Sequence, residues 1–124
     1  MITGLEHTAI ASPDHRALAE WYVRNLGFVV NYQSANATFV KAQNGYMIEI
    51  IGAEGDRPDT GMKTPGFRHL AVAVSDFDSV YSGLKSRGVA FLTEPVESKG
   101  NKVVFFTDPE GNILHLLERQ TPLP

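Results

Sequence analysis

Residues 107–118 read TDPEGNILHLLE, and this stretch carries the pattern on which the rest of the chain is built. Its opening, Asp-Pro-Glu-Gly-Asn, predicts a tight turn, because proline fixes φ and glycine accepts a positive φ. An apolar segment with a single histidine, His115, follows the turn. Residues 44–51 read NGYMIEII and have the same form, with Glu49 placed four positions after the turn glycine, as His115 is. The chain is therefore predicted to contain an internal repeat.

The repeat extends to the start of each half. Residues 4–12 read GLEHTAIAS and align with residues 66–74, GFRHLAVAV, so that His7 matches His69. Both segments are short and β-prone, which predicts a first strand in each half.

One amphipathic helix follows the first strand of each half. Residues 12–14 and 75–78 are predicted helix starts, with serine as the N-cap and acidic residues near the positive end of the helix dipole. Apolar residues then recur at helical spacing. They are Leu18, Trp21, Tyr22 and Leu26 in the first helix, and Phe77, Val80, Tyr81 and Leu84 in the second. Gly27 and Gly88 are predicted to end the two helices.

A β-prone segment follows each helix, and two further strands complete each half. The last two strands are expected at about 37–42 and 46–52, and at about 102–107 and 112–118. Each half is then β-α-β-β-β, and the fold class is α+β. The sequence predicts one domain over residues 1–120, made of two modules at about 1–52 and 66–120 with a linker at 53–65.

Composition excludes several classes of function. The 124 residues carry a formal net charge of -3, which gives no basic footprint for nucleic acid. Cysteine is absent, which leaves no disulfide framework, thiol nucleophile or thiolate metal site. No apolar run approaches the roughly 18 residues of a membrane span, and the start does not resemble a signal peptide. A cytoplasmic protein without membrane or nucleic-acid partners is expected.

Four side chains at matched positions of the repeat are candidate metal ligands: His7, Glu49, His69 and His115. Because strand side chains alternate between faces, Glu49 shares a face with apolar neighbours, where a carboxylate is unexpected unless it is paired or bound. Three imidazoles and one carboxylate suit a divalent metal ion. A single strand histidine is more often a core residue, and Glu49 alone would fit a solvent-facing edge, so the hypothesis depends on the matched set.

Other polar residues are given structural interpretations. His15 lies in the first helical turn and is expected to be solvated. Glu6, Arg68 and Glu118 fall on the faces opposite the candidate ligands and are expected at the surface. Trp21 is interpreted as packing between helix and sheet.

The paired modules, the late Asp-Pro-Glu-Gly-Asn turn and the spacing of His7, Glu49 and His69 resemble the vicinal oxygen chelate superfamily, over about residues 1–119. That superfamily includes glyoxalase I, methylmalonyl-CoA epimerase, extradiol dioxygenases, fosfomycin-resistance transferases and bleomycin-binding proteins. The resemblance implies an eight-stranded curved sheet that forms a cup around a metal ion. His115 occupies the eighth-strand position, where the family usually has glutamate, and this departure affects the residue that would move protons.

The resemblance favours a divalent-metal-dependent lyase or isomerase of glyoxalase I type, acting on a small oxygen-chelating substrate through an enediolate-type intermediate. Glu49 is the first candidate for the base and His115 the second. Zn, Ni, Co, Mn or Fe would each suit the ligand set. Two alternatives stay open: an Fe(II)-dependent ring-cleavage-type dioxygenase, and a non-catalytic small-ligand binding protein of the resistance type.

The expected partners are a small-molecule substrate and a second copy of the chain. With a single carboxylate the ligand set leaves a divalent site positive, which favours an anionic or bidentate oxygen ligand. No basic cluster suited to glutathione is recognisable beyond scattered loop cations, namely Arg57, Lys63, Lys99 and Lys102. A homodimer is implied by the resemblance.

Overall fold

The computed structural model describes residues 1–124 and contains two helices and nine strands. The helices are α1 (His15–Leu26) and α2 (Phe77–Ser86). The strands are β1 (His7–Ser12), β2 (Val29–Gln33), β3 (Ala37–Lys41), β4 (Met47–Gly52), β5 (His69–Ala73), β6 (Ala90–Phe91), β7 (Val96–Ser98), β8 (Asn101–Thr107) and β9 (Ile113–Glu118). The chain divides into two units, Met1–Arg57 and Pro58–Pro124.

The first unit is a four-stranded sheet with α1 on one face. The strand order is β1-β4-β3-β2, in which β1 runs parallel to β4 and the other neighbours are antiparallel. Val40, Ile48 and Ile50 alternate onto the α1 side and are buried with Leu18 and Tyr22 of the helix. The alternate residues of β1 and β4, including both candidate ligands, therefore lie on the face opposite α1.

The second unit repeats this plan with one addition. Its strand order is β5-β9-β8-β6, β5 runs parallel to β9, and the short strand β7 pairs with β8 as a further strand. Leu114 and Leu116 of β9 are buried on the α2 side with Leu84 of the helix. The two-residue turn between β7 and β8 has positive φ at both Lys99 (53°) and Gly100 (79°), as the tight hairpin turn of this length requires.

Aspartates, and not the expected serines, cap the two helices. The side chain of Asp14 accepts a hydrogen bond from the Ala17 N–H at 3.1 Å, and Asp76 does the same for the Ser79 N–H at 3.3 Å. Ser12 lies one step earlier, where its hydroxyl accepts the Asp14 N–H at 3.0 Å. The predicted serine cap is therefore wrong by two positions in α1 and by one position in α2. The cap is the residue immediately before the helical backbone, because its side chain reaches the free N–H groups of the first turn. Gly27 ends α1 in the left-handed conformation (φ 72°), as expected.

The α+β class and the paired β-α-β-β-β plan are confirmed. Hydrogen bonds divide the strands between two sheets, and β7 is a ninth strand where the sequence analysis counts eight. The boundary between the units follows Arg57, inside the predicted linker. Assignment of residues 1–120 to a single domain stays a prediction. Neither helix is long and apolar enough to cross a membrane.

Candidate functional site

His7 and Glu49 form a pair on the first unit. In the parallel ladder His7 lies opposite Met47, and Ala9 lies opposite Glu49, so the two polar side chains are diagonal neighbours on one face. The Nε2 atom of His7 is 3.6 Å from Oε1 of Glu49. Alanine at position 9 leaves space for the imidazole and the carboxylate to approach each other.

The orientation of the His7 ring is fixed by two neighbours. Its Nδ1 atom is 2.9 Å from Oε1 of Glu6, and since an ionised carboxylate can only accept, the Nδ1–H donates this bond. Phe39 contacts the ring edge-on at a centroid distance of 5.4 Å. In the neutral ring the Nε2 lone pair then faces the Glu49 carboxylate. Two acceptors that face each other suit a cation between them, and a carboxylate behind the histidine is usual for metal-bound imidazole.

His69 and His115 form the matching pair on the second unit. His69 lies opposite Ile113, and Ala71 lies opposite His115, which is the register of the first unit repeated. The two imidazole rings are 4.5 Å apart between centroids and tilted by 43°. The repeat therefore reproduces the diagonal relation and the first histidine, whereas the position of Glu49 is taken by a second histidine, His115.

His115 has two buried ring nitrogens without a hydrogen-bond partner. A neutral imidazole has one N–H donor and one acceptor, so both functions are left unsatisfied, at a cost that native proteins rarely accept. Burial lowers the pKa of His115 below its usual value of 6.5, and the nearby His69 and Arg119 lower it further. The ring is therefore neutral at neutral pH and retains a lone pair, which is the form that binds a metal ion.

Phenylalanines hold the imidazoles from the neighbouring strand in both units, and sequence reasoning missed them. Phe39 lies opposite Glu49, and Phe105 lies opposite His115. The Phe105 ring contacts both histidines of its unit, at centroid distances of 5.4 Å to His69 and 4.9 Å to His115. The signal was present in the repeat itself, which places a phenylalanine at the same point of β3 and β8.

His15 is not the solvated residue that the sequence suggests. Its Nδ1 atom is 2.8 Å from the hydroxyl of buried Thr38, and its Nε2–H donates to the carbonyl oxygen of Ala35 at 3.1 Å. His15 also borders a cavity of about 490 Å³, together with Tyr32 and Glu49. Its helical position gave no indication of these contacts, because both partners come from the β2–β3 connection and β3.

All three residues expected at the surface have defined structural contacts, and Glu6, expected on the face opposite the candidate ligands, contacts the His7 ring as described above. Oε1 of Glu118 accepts the N–H of Phe77 at 3.0 Å, at the start of α2. Arg68 donates to the carbonyl oxygen of Gly61 at 2.7 Å. The turn at 108–111 is a turn, as predicted, and is organised by the buried Asp108 carboxylate, which accepts the N–H groups of Glu110 and Asn112. Trp21 is buried, as expected for a packing residue.

The donor set fits a divalent metal ion, although each unit supplies only a pair. Imidazole nitrogens without partners and a carboxylate facing a lone pair are the groups that such an ion binds. The structure contains no group of three or more His, Cys, Asp or Glu side chains placed to hold a metal. The use of all four residues in one site stays a prediction.

Two modules of this topology, each with a pair of candidate ligands on its first and last strands, define the class of protein as the glyoxalase fold. The chain belongs to the Glyoxalase/Bleomycin resistance protein/Dioxygenase superfamily, whose family model matches residues 4–116. The predicted family is confirmed, and the superfamily includes many enzymes.

Individual relatives cover nearly the whole chain. The Bacillus subtilis (strain 168) protein YwkD is 28% identical over 130 residues, which span 96% of this chain and 99% of YwkD. The structure of SMU.1112c superposes with a TM-score of 0.80 at 27% identity, covering 95% of this chain and all of that one. The oxidase ChaP-H2 superposes with a TM-score of 0.77 at 26% identity, covering 96% and 95%.

Proposed function

We propose that this protein is a divalent-metal-dependent enzyme of glyoxalase type, a lyase or isomerase that moves a proton on a small oxygen-chelating substrate. The observation that carries the proposal is the half-buried imidazole of His115, whose two ring nitrogens are themselves buried and have no partner. An unpaired polar group in an apolar sheet costs stability, and metal ligation would recover that cost. His69 beside His115, and His7 with Glu49 at the matching positions of the first unit, extend the candidate ligands from one residue to a set of four.

The proposed ligands are His7 and Glu49 from the first unit, and His69 and His115 from the second. Glu6 would orient the His7 ring through its Nδ1–H, at 2.9 Å. A divalent ion held by this set would act as a Lewis acid toward the substrate oxygens. One carboxylate among three neutral imidazoles leaves a net positive charge, which favours an anionic oxygen ligand.

Glu49 is proposed as the base. Its side chain is about a quarter exposed (26%) and borders the 490 Å³ cavity, so a substrate carbon can reach it. The carboxylate would take a proton from a carbon next to a carbonyl group and return it to the adjacent position. Phe39, which lies opposite Glu49 on β3, would keep water from this side of the carboxylate.

His115 is the alternative base, and its environment favours ligation over proton transfer. Both ring nitrogens are buried, and the pKa of the ring is lowered by burial first and by His69 and Arg119 next. A weakly basic imidazole whose nitrogens are buried is a poor acceptor for a substrate proton at neutral pH. The same properties keep its lone pair free for a cation.

An oxygen-dependent reaction is the second candidate, and a particular relative favours it. ChaP-H2, at 26% identity over nearly the full chain, is named an oxidase. A histidine-rich ligand set with open positions also suits Fe(II). A binding protein without turnover is the third candidate and predicts ligand affinity that is independent of metal.

Metal content tests the proposal first. The protein, purified without a tag or added metal, would be analysed by mass spectrometry beside His7→Ala, His115→Ala and the control His15→Ala. We expect near-stoichiometric transition metal in the wild type and in the control, and its loss in both ligand variants. Absence of metal in every form, even after incubation with Zn or Fe(II), would overturn the proposal.

The reaction class is decided by two assays on the metal-loaded protein. Proton transfer next to a carbonyl group would be followed by NMR as deuterium incorporation into dihydroxyacetone in heavy water. We expect incorporation that Glu49→Gln abolishes. Oxygen uptake with catechol, in the absence of deuterium incorporation, would select the second candidate instead.

We also propose that the protein is a homodimer. Strand β2 lies at the end of the first sheet, and its apolar residues Val29, Val30 and Tyr32 are exposed. Exposed edge strands of this kind tend to pair with another chain. Light scattering of the eluting protein would give the mass, and a monomer at micromolar concentration would contradict the proposal.

A further inference from the structure

A second cavity, of about 340 Å³, lies on the second unit beside the β7–β8 hairpin. His115 borders it, next to the apolar side chains of Val103 and Leu117. Two cations, Lys99 and Arg119, form its charged part. The cavity therefore joins a candidate ligand, an apolar wall and two positive charges in a single unit.

The position of Lys99 is fixed by the hairpin. Lys99 and Gly100 are the two turn residues between the paired positions Ser98 and Asn101. A side chain at Gly100 would collide with the side chain of Gln120, and the Gln120 N–H donates to Oδ1 of Asn101 at 3.3 Å. The turn is thus joined to the chain just beyond β9.

The position of Arg119 follows from the alternation of β9. His115 and Leu117 lie on the face opposite α2, and Arg119, two residues on, borders the same cavity. Turn geometry and the contact with residue 120 position Lys99, and the alternation of β9 positions Arg119. Two independent features therefore bring both cations to the same cavity.

The positive charge of this cavity is uncompensated. No carboxylate lines it, and neither Lys99 nor Arg119 forms an ion pair. The nearest acids in the sequence are directed elsewhere. Glu97 lies opposite Lys102, on the other side of the hairpin, and Glu118 accepts the Phe77 N–H at the start of α2.

We propose that this cavity is the subsite for an oxyanion of the substrate, a carboxylate or a phosphate ester, whose apolar portion lies on Val103 and Leu117 with its other end toward His115. This inference rests on the proposed function, since it names the class of substrate for the same site. Arg119 would bind two oxygens of the anion in its planar fork, and Lys99 would add a single charge. A small organic acid with an oxygen-bearing end matches both parts of the cavity.

Binding is tested without metal, so that the two proposals can fail separately. The protein, in EDTA, would be titrated with hexanoate, with its neutral analogue hexanamide and with inorganic phosphate, and followed by amide NMR. We expect saturable shifts of the Ser98, Asn101 and Arg119 signals with hexanoate, and affinity at least about tenfold weaker for hexanamide. Equal affinity for hexanoate and hexanamide, or no shifts at these residues with either anion, would overturn the subsite. Binding of phosphate without binding of hexanoate would support the oxyanion subsite and indicate that the substrate carries a phosphate ester.

Matched variants identify the groups responsible. Arg119→Gln and Lys99→Asn should each weaken hexanoate or phosphate binding by about three- to tenfold, and Arg119→Lys should retain part of it. Asparagine is chosen at position 99 because it tolerates the positive φ of the turn. The control Arg24→Gln removes an exposed cation from α1 and should change nothing. Unchanged affinity in both cavity variants would refute the assignment.

Metal content of the same variants distinguishes failure of the anion subsite from failure of the proposed metal-dependent function. Arg119→Gln is expected to keep the metal content of the wild type, because Arg119 is not a proposed ligand. Anion binding in a protein that never holds metal would leave the subsite intact and remove the proposed enzyme. Bound metal in a protein that binds hexanoate and hexanamide equally well would refute the subsite and leave the proposed enzyme intact.

Discussion

Replacing His115 with leucine is expected to stabilise the metal-free protein, although it removes a candidate ligand. Both nitrogens of this imidazole are buried without partners, and each unsatisfied group costs about 1–3 kcal/mol. The substitution also loses the ring contacts with His69 and Phe105, at centroid distances of 4.5 and 4.9 Å. Such contacts are worth about 0.5–1.5 kcal/mol each. The expected net gain, from two unsatisfied groups less two ring contacts, is about 1–3 kcal/mol.

Urea unfolding measures this gain. For a chain of this size, with a dependence of free energy on urea of about 2 kcal/mol per molar, the midpoint should rise by about 0.5–1.5 M. The protein would be treated with EDTA and followed by tryptophan fluorescence, which reports on buried Trp21. Adding Zn at about one hundred times its dissociation constant should stabilise the wild type by about 2.7 kcal/mol and the variant much less.

His15→Leu provides a control with the opposite sign. This imidazole has partners on both nitrogens, the Thr38 hydroxyl at 2.8 Å and the Ala35 carbonyl at 3.1 Å. Its removal should destabilise the protein by about 1–2 kcal/mol. If His115→Leu destabilises the protein as much as His15→Leu does, the reasoning from unsatisfied nitrogens is refuted.

Three further predictions follow from the same structure. Because the folded state lowers the pKa of His115, mainly through burial, protonation of the ring favours unfolding. The metal-free protein should therefore keep its full stability above pH 6.5 and lose part of it as pH falls through the lowered pKa. Urea midpoints at several pH values should show this decline, and His115→Leu should lessen it. Asp108 is only 3% exposed, and its carboxylate accepts two backbone N–H groups and the Asn112 side-chain amide, the last at 2.7 Å. Asp108→Ala should therefore lower the free energy of unfolding by about 2–4 kcal/mol, measured by thermal unfolding. A loss below about 1 kcal/mol would contradict the role of Asp108 in the turn. Glu118→Ala should cost about 1 kcal/mol by leaving the Phe77 N–H at the start of α2 without its acceptor, whereas Glu118→Gln, which keeps an acceptor oxygen, should cost clearly less by the same measurement.

Strand and helix positions could be predicted because they depend on local periodicity. The observed β3, β4, β8 and β9 agree with the expected ranges within about one residue, which is the usual uncertainty of element ends. Strand β7 was not predicted, since three residues beside a proline carry no usable alternation. Its existence depends on pairing with β8, which no local pattern encodes.

The sequence predicts which residues form the candidate site, but it does not predict which groups those residues contact. The repeat selects His7, Glu49, His69 and His115 by matched position, without any knowledge of distance. It does not reveal that His15 binds Thr38, because that contact joins a helix to a strand. Nor does it reveal the two cations beside His115, since Lys99 reaches the cavity only through a turn with positive φ.

By itself the sequence determined the repeated β-α-β-β-β plan and the face on which each candidate ligand lies, because side-chain alternation along a strand is a property of consecutive residues. Tertiary structure alone decided which residues meet. Parallel pairing of β1 with β4, and of β5 with β9, sets the register that makes His7 the neighbour of Glu49 and His69 the neighbour of His115. Register is fixed by contacts between distant segments, and so is the burial that leaves the nitrogens of His115 without partners.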